Sequence, residues 1–206
     1  MFRILASLAC LPLAGCVQST VPLESGEQVT DPALTGIWKS DVRGDPLVAT
    51  FHPEKDGRLL ADIQSYSGPG PATETQHFEI VLARFGAQRY MSMREIGSSP
   101  NYSLARYVVV NRDRFCVFAT FSEALAGDID RKILPGKIQQ DRHMATVTLD
   151  ASAGQLRDYF GSRGAEAFSE EDVVALVFQR VASDQLPPAR TQPDDPDDFV
   201  PTRCHP

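Results

Sequence analysis

The chain has 206 residues with 20 Lys and Arg against 27 Asp and Glu, a net charge of -7, and 42% hydrophobic residues. An acidic surface argues against nucleic acid and against a basic patch on anionic lipid, while the apolar share and length suit one domain with a sizeable core. Neither says which ligand, partner or substrate the protein handles.

Met1-Phe2-Arg3 is a short positive start, followed by an apolar run from Ile4 to Leu13 in which Ser7 is the one polar side chain and Pro12 breaks a helix. The run reaches about half of the roughly 20 residues that a membrane span needs, so it reads as a secretory signal. It closes at Leu13-Ala14-Gly15-Cys16. That tetrapeptide resembles the lipobox of bacterial lipoproteins, in which the cysteine thiol is diacylated, the chain is cleaved before it, and the new amino terminus is acylated. The resemblance implies a signal peptide over 1–15 and a lipid anchor on Cys16. It also implies attachment to a membrane through acyl chains such as palmitate, three of which exceed what stable anchoring requires. Val17 follows where lipoproteins retained at the inner membrane carry Asp, which implies the outer membrane, facing the periplasm. Removal of 1–15 takes away Arg3 alone among charged residues, so -7 becomes -8.

Residues 16–30 are small and polar and read as the anchor with a flexible tether; the folded domain is expected over 31–182. Leu47 to Phe51 and Leu59 to Ile63 flank a Pro/Asp/Gly turn and predict a β-hairpin. Ser65 to Thr75 is loop-forming, and Phe78, Ile80 and Leu82 with Tyr90, Met91 and Met93 across Gly86 predict a second hairpin. Tyr102 to Asn111 and Arg114 to Phe121 predict a third, its second strand apolar on both faces.

Ser122 to Asp130 shifts to a helix-like pattern, and Ala145 to Leu149 returns to strand character. Ser152 and Gln155 have capping-box spacing ahead of an apolar stripe of Leu156, Tyr159 and Phe160, a short helix that Gly161 and Gly164 are expected to stop. Asp172 to Val181 is β-branched and predicts a closing strand. Residues 183–206 hold six prolines and the acidic unit Pro193-Asp194-Asp195-Pro196-Asp197-Asp198; they read as a disordered tail and not as a rigid calcium loop.

Leu34-Thr35-Gly36-Ile37-Trp38 resembles the first strand of lipocalins and related small antiparallel barrels, where Gly-x-Trp enters the barrel and the tryptophan plugs its closed end. The chain order is also similar to bacterial lipoproteins that carry lipocalin-like domains, a resemblance that brings no activity with it. It implies a mainly β fold, an antiparallel lipocalin-like barrel or strongly curled sheet with one or two short α-helices. Gly36 and Trp38 would be structural.

With Cys10 in the signal and Cys16 acylated, Cys116 and Cys204 remain. Either they pair in a disulfide that pins the tail, or Cys116 is a small core residue and Cys204 is free. No Cys/His spacing suggests a metal, and no cofactor fingerprint, nucleophile elbow or other catalytic motif appears among residues such as His52, His77, His143 and His205. The phenylalanines beside Cys116 predict a buried, unreactive thiol. Arg106, Arg112, Arg114, Arg131, Lys132 and Lys137 are expected at solvent-facing positions. The expected protein is non-enzymatic. The expected function is binding a small apolar or amphipathic ligand in the barrel mouth, with docking on another cell-envelope protein as a structural module the alternative. Phe51, Phe78, Phe115, Phe118, Phe121 and Phe178 decide between them, because turned inward they would fill a small barrel.

Overall fold

The computed structural model describes residues 17–27, 29–42, 45–66, 72, 74–120, 122–140, 145–163 and 174–182. Residues 1–15, expected to be a signal peptide, lie outside the described residues, as do Cys16, Phe121, His143, Cys204, His205 and the acidic stretch after residue 182. In chain order the strands are β1 Val17–Ser19, β2 Gly36–Val42, β3 Asp45–Pro53, β4 Leu59–Ser65, β5 Glu74–Phe85, β6 Gln88–Glu95, β7 Tyr102–Asn111, β8 Arg114–Ala119, β9 Gly136–Gln140, β10 Ala145–Leu149 and β11 Val174–Arg180. Helix α1 spans Ser122–Asp130 between β8 and β9, and α2 spans Ala153–Arg163 between β10 and β11.

Strands β2 to β8 form an antiparallel meander, and β11 closes it by pairing with β8 on one edge, Phe178 opposite Phe115, and with β2 on the other, Arg180 opposite Trp38. The result is a closed eight-stranded antiparallel barrel with two short helices. Closure leaves these strands no open edge for other chains to extend. The three hairpins expected from alternation are β3–β4, β5–β6 and β7–β8.

A three-stranded extension leaves the barrel where β8 ends. Along β7, Tyr102 and Ser103 pair with Ser19 and Gln18 of β1, which runs parallel to β10, and β10 is antiparallel to β9. This corrects the expectation of a free tether before residue 31. Val17 and Ser19 are buried within a sheet, and Leu23 is fully buried with its amide donating to the Ser92 hydroxyl at 2.9 Å. Burial of one such side chain stabilises by about 1.5–3 kcal/mol, enough to hold a short segment whose polarity alone suggests a linker.

Two cores follow from this topology. The first lies inside the barrel around Trp38, Phe51, Phe115 and Phe178. The second lies outside it, where Ala83, Tyr90 and Leu104 on the outer wall meet Val147, Leu156 and Phe160 from the extension and α2. Strands β5 to β7 serve both, Leu82 pointing inward and its neighbour Ala83 outward.

Helix α2 begins with the expected reciprocal cap: the Gln155 amide donates to Ser152 Oγ at 3.3 Å, and the Ser152 amide donates to Gln155 Oε1 at 2.9 Å. Leu156, Tyr159 and Phe160, spaced for one helical face, are its buried residues. The helix continues through Gly161 to Arg163, since a glycine inside a helix costs only about 1 kcal/mol, less than the burial of Tyr159 and Phe160 supplies. Buried Asp128 ties α1 to α2, accepting from Tyr159 Oη at 2.7 Å and from Arg131 at 2.5 Å. Burial raises the pKa of Asp128, but these two hydrogen bonds and the nearby Arg163 and Arg131 charges outweigh it and hold the carboxyl below its ordinary range.

Candidate functional site

In a barrel of this size the interior is the first place to seek a ligand. Phe115 stacks on Phe178 at 4.6 Å between centroids and meets Trp38 edge-on at 4.7 Å, while Phe51 packs against both phenylalanines. All four rings are at most 5% exposed. Each such pair adds about 0.5–1.5 kcal/mol beyond its burial, so the cluster resists opening. Leu47, Ile63, Ile80 and Met91 fill the space around it.

One end of the barrel is sealed by the chain that enters it. Asp31 caps a single 3-10 turn, Pro32–Leu34, by accepting from the Ala33 amide at 3.2 Å. Its other carboxylate oxygen accepts from Arg89 of β6 at 2.9 Å and from Tyr107 Oη of β7 at 3.1 Å. Since β6 lies four strands from β2 in a ring of eight, the turn crosses the barrel end. Burial, and then the neighbouring Asp31 carboxylate, push the Tyr107 phenol far above its ordinary value, keeping it a donor.

At the same end Trp38 is fully buried and donates its indole N–H to Leu34 O at 2.7 Å. Arg180, at the end of β11, lays its guanidinium 4.2 Å from the centre of the Trp38 ring. The guanidinium also donates to the carbonyls of Ala33, Thr35 and Arg112, each at 2.8 Å. Glycine is needed at position 36 for its backbone angle, and a side chain there would also displace the arginine. The φ of 120° at Gly36 lies where side chains are strained, and a Cβ would sit 2.6 Å from Arg180 Nη1. Sequence reading singled out Gly36 and Trp38 but assigned no role to Arg180 or Asp31; Asp31-Pro32 carries the signal of a cap followed by proline at the first helical position.

Of the six phenylalanines, Phe51, Phe115 and Phe178 point inward and Phe78 is half-buried against the core. Phe118 does not join them. It alternates with inward Val117, lies on the outer wall, and carries Arg106 at 4.5 Å over its ring. Arg106 is therefore buried rather than solvent-facing, its aliphatic stem and planar head suited to a ring face. Arg112, Arg131, Lys132 and Lys137 are exposed.

A cleft of about 430 Å3 opens on the outer wall across β4 to β6, lined by Glu54, Arg58, Leu60, Glu79, Arg94 and Ile96 among others. Its central carboxylate, Glu79, accepts from Arg58 at 2.8 Å and from Arg94 at 2.5 Å. Burial pushes Glu79 up, yet those hydrogen bonds and charges prevail and hold it below the usual glutamate range. The site's charges thus satisfy one another, which makes it a clamp across three strands.

His52 and His77 flank Asp62 on the outer wall, His77 Nδ1 2.7 Å and His52 Nε2 3.6 Å from its carboxylate. All three side chains are about half exposed, where such pairs contribute little. Among the described residues no group of His, Cys, Asp or Glu is arranged to hold a metal ion, and no helix is long and apolar enough to cross a membrane. Cys116, fully buried in β8, is disulfide-bonded to a cysteine outside the described residues.

The molecule is thus a small closed antiparallel barrel with one sealed end. Compared with protein-family models, curated proteins and solved structures, the chain matches none.

Proposed function

We propose that this chain is a lipoprotein acylated at Cys16, facing the periplasm from the outer membrane, whose lipocalin-like barrel is a packed scaffold that docks on another cell-envelope protein. The observation that carries this reading is the interior cluster of Trp38, Phe51, Phe115 and Phe178, which occupies the space a carried molecule would need. With the interior filled and one end sealed by Asp31 and Arg180, the outer surface is what remains to act. The function is non-enzymatic, and Cys116 with Cys204 would strap the acidic tail to β8. The competing reading, a small apolar ligand, has one feature in its favour: Phe78 and Met93 are only half-buried and offer an apolar lip.

Native mass spectrometry of the full chain extracted from envelopes separates the two. The expected spectrum is the mature chain with its acyl groups and nothing further. A defined small-molecule adduct, lost on denaturation, would establish a carrier.

A further inference from the structure

Among the described residues two large apolar side chains stand in solvent, Ile96 at 55% and Ile133 at 47% exposure. Neither covers the other, and each is fixed by its own backbone. The Ile96 amide donates to His77 O at 2.8 Å, which holds the start of the β6–β7 turn at the edge of the outer-wall cleft. Ile133 follows α1, where its amide donates to Asp128 O at 2.9 Å and the Lys132 amide to Ile129 O at 2.9 Å. Lys132 has a φ of 59°, the one left-handed residue other than glycine among the described residues. Helix ends usually give that position to glycine, so the fold bears strain to present a lysine there.

The two isoleucines stand in surroundings of opposite charge. The cleft beside Ile96 is lined by three carboxylates, Glu54, Glu79 and Glu95, against two guanidiniums, Arg58 and Arg94. Both arginines are committed to Glu79, whereas Glu54 and Glu95 form no ion pair among the described residues, Glu95 accepting only from neutral Gln76 and Ser98. Near Ile133 the balance reverses, with Arg131, Lys132 and Arg163 against Asp128 and Asp130. Arg131 and Arg163 turn to Asp128, which leaves exposed Lys132 without an ion pair among the described residues. We infer that the chain recognises a second copy of itself: the Lys132-Ile133 turn of one molecule seats in the cleft of another, Ile133 on Ile96 and Leu60, and Lys132 between Glu54 and Glu95. The cleft, about 430 Å3, is at the small end of ligand-sized sites and suits one side chain with an ammonium beside it. Its floor is set in advance by the clamp of Arg58, Glu79 and Arg94, so little ordering is lost on contact. Since the two patches differ, each molecule can give one contact and accept another. So small a contact implies association in the micromolar to millimolar range, weakened by salt. The inference needs neither acylation nor a foreign docking partner.

The test is sedimentation equilibrium of the full chain from micromolar to millimolar concentration, in enough detergent that each micelle holds one chain, with far-UV circular dichroism confirming the fold of every variant. Wild type is expected to self-associate, and Ile96→Ser or Ile133→Ser to weaken that association about tenfold. Glu54→Lys alone and Lys132→Glu alone should each associate more weakly than wild type, because each sets like charges against one another. Mixed together they should recover wild-type association, since each then meets an opposite charge at both contacts. Lys132→Gly removes the cation and the strain together, so its thermal midpoint should rise while its association weakens. A monomer throughout the range, association indifferent to these four positions, a mixture that fails to recover, or a stabilised Lys132→Gly that associates like wild type overturns the inference.

Discussion

The two cores of this protein are closed by different means. The barrel interior is walled on every side by strands of one continuous ring and is filled by stacked and edge-on aromatic rings. The outer core has no such wall; it exists because β1, β9 and β10 and helix α2 are laid against the back of β5 to β7. Only the inner core follows from a strand meander, whereas the outer core depends on the start of the chain and on insertions folding back onto the barrel. Yet the two share strands, Leu82 serving one and Ala83 the other, so neither should melt alone.

The strongest way to break that coupling is to damage each core separately. Phe115→Ala inside and Phe160→Ala outside should each cost about 3–5 kcal/mol. In both variants Trp38 fluorescence, which reports the interior, should unfold together with far-UV circular dichroism. Separate transitions would show two units in place of one. Gly36→Ala should cost about 1–3 kcal/mol, combining backbone strain with the clash against Arg180. A shifted Trp38 emission would accompany it as the guanidinium leaves the ring, whereas an unshifted spectrum would detach Arg180 from the sealed end.

The outer-wall clamp gives a pH signature. A carboxylate whose folded pKa lies below its unfolded value stabilises the protein above the unfolded pKa and loses that contribution as pH falls through the folded value. Glu79→Gln should therefore be less stable than wild type at pH 7 by about 1.5 kcal/mol, with the gap narrowing below about pH 4, as followed by denaturant titration. A constant gap would assign the loss to packing. The smallest effect is expected of Ser152→Ala, about 1 kcal/mol from the lost cap of α2, read from its thermal midpoint.

What the sequence disclosed depends on how local each interaction is. The three hairpins were readable because Leu59, Ala61 and Ile63 or Phe78, Ile80 and Leu82 alternate within a single strand and turn back nearby. The α2 cap was readable from two residues three apart. Strand β1 was not, because three residues carry no period and its partners, Val147 and Ser103, lie far along the chain. Strand β9 has one apolar residue, Ile138, in five, so it carries no alternation to read even though its partner β10 is the next strand along the chain. At the sealed end Gly36 and Trp38 stand out by type and spacing, while Arg180 is meaningful only once β11 closes the ring beside β2.

Whether the barrel is a filled scaffold can be read by crystallography under xenon pressure, since xenon enters apolar voids. A filled interior leaves no xenon density among Trp38, Phe51, Phe115 and Phe178. A bound xenon inside the ring of strands would contradict it and return the barrel to the class of carriers.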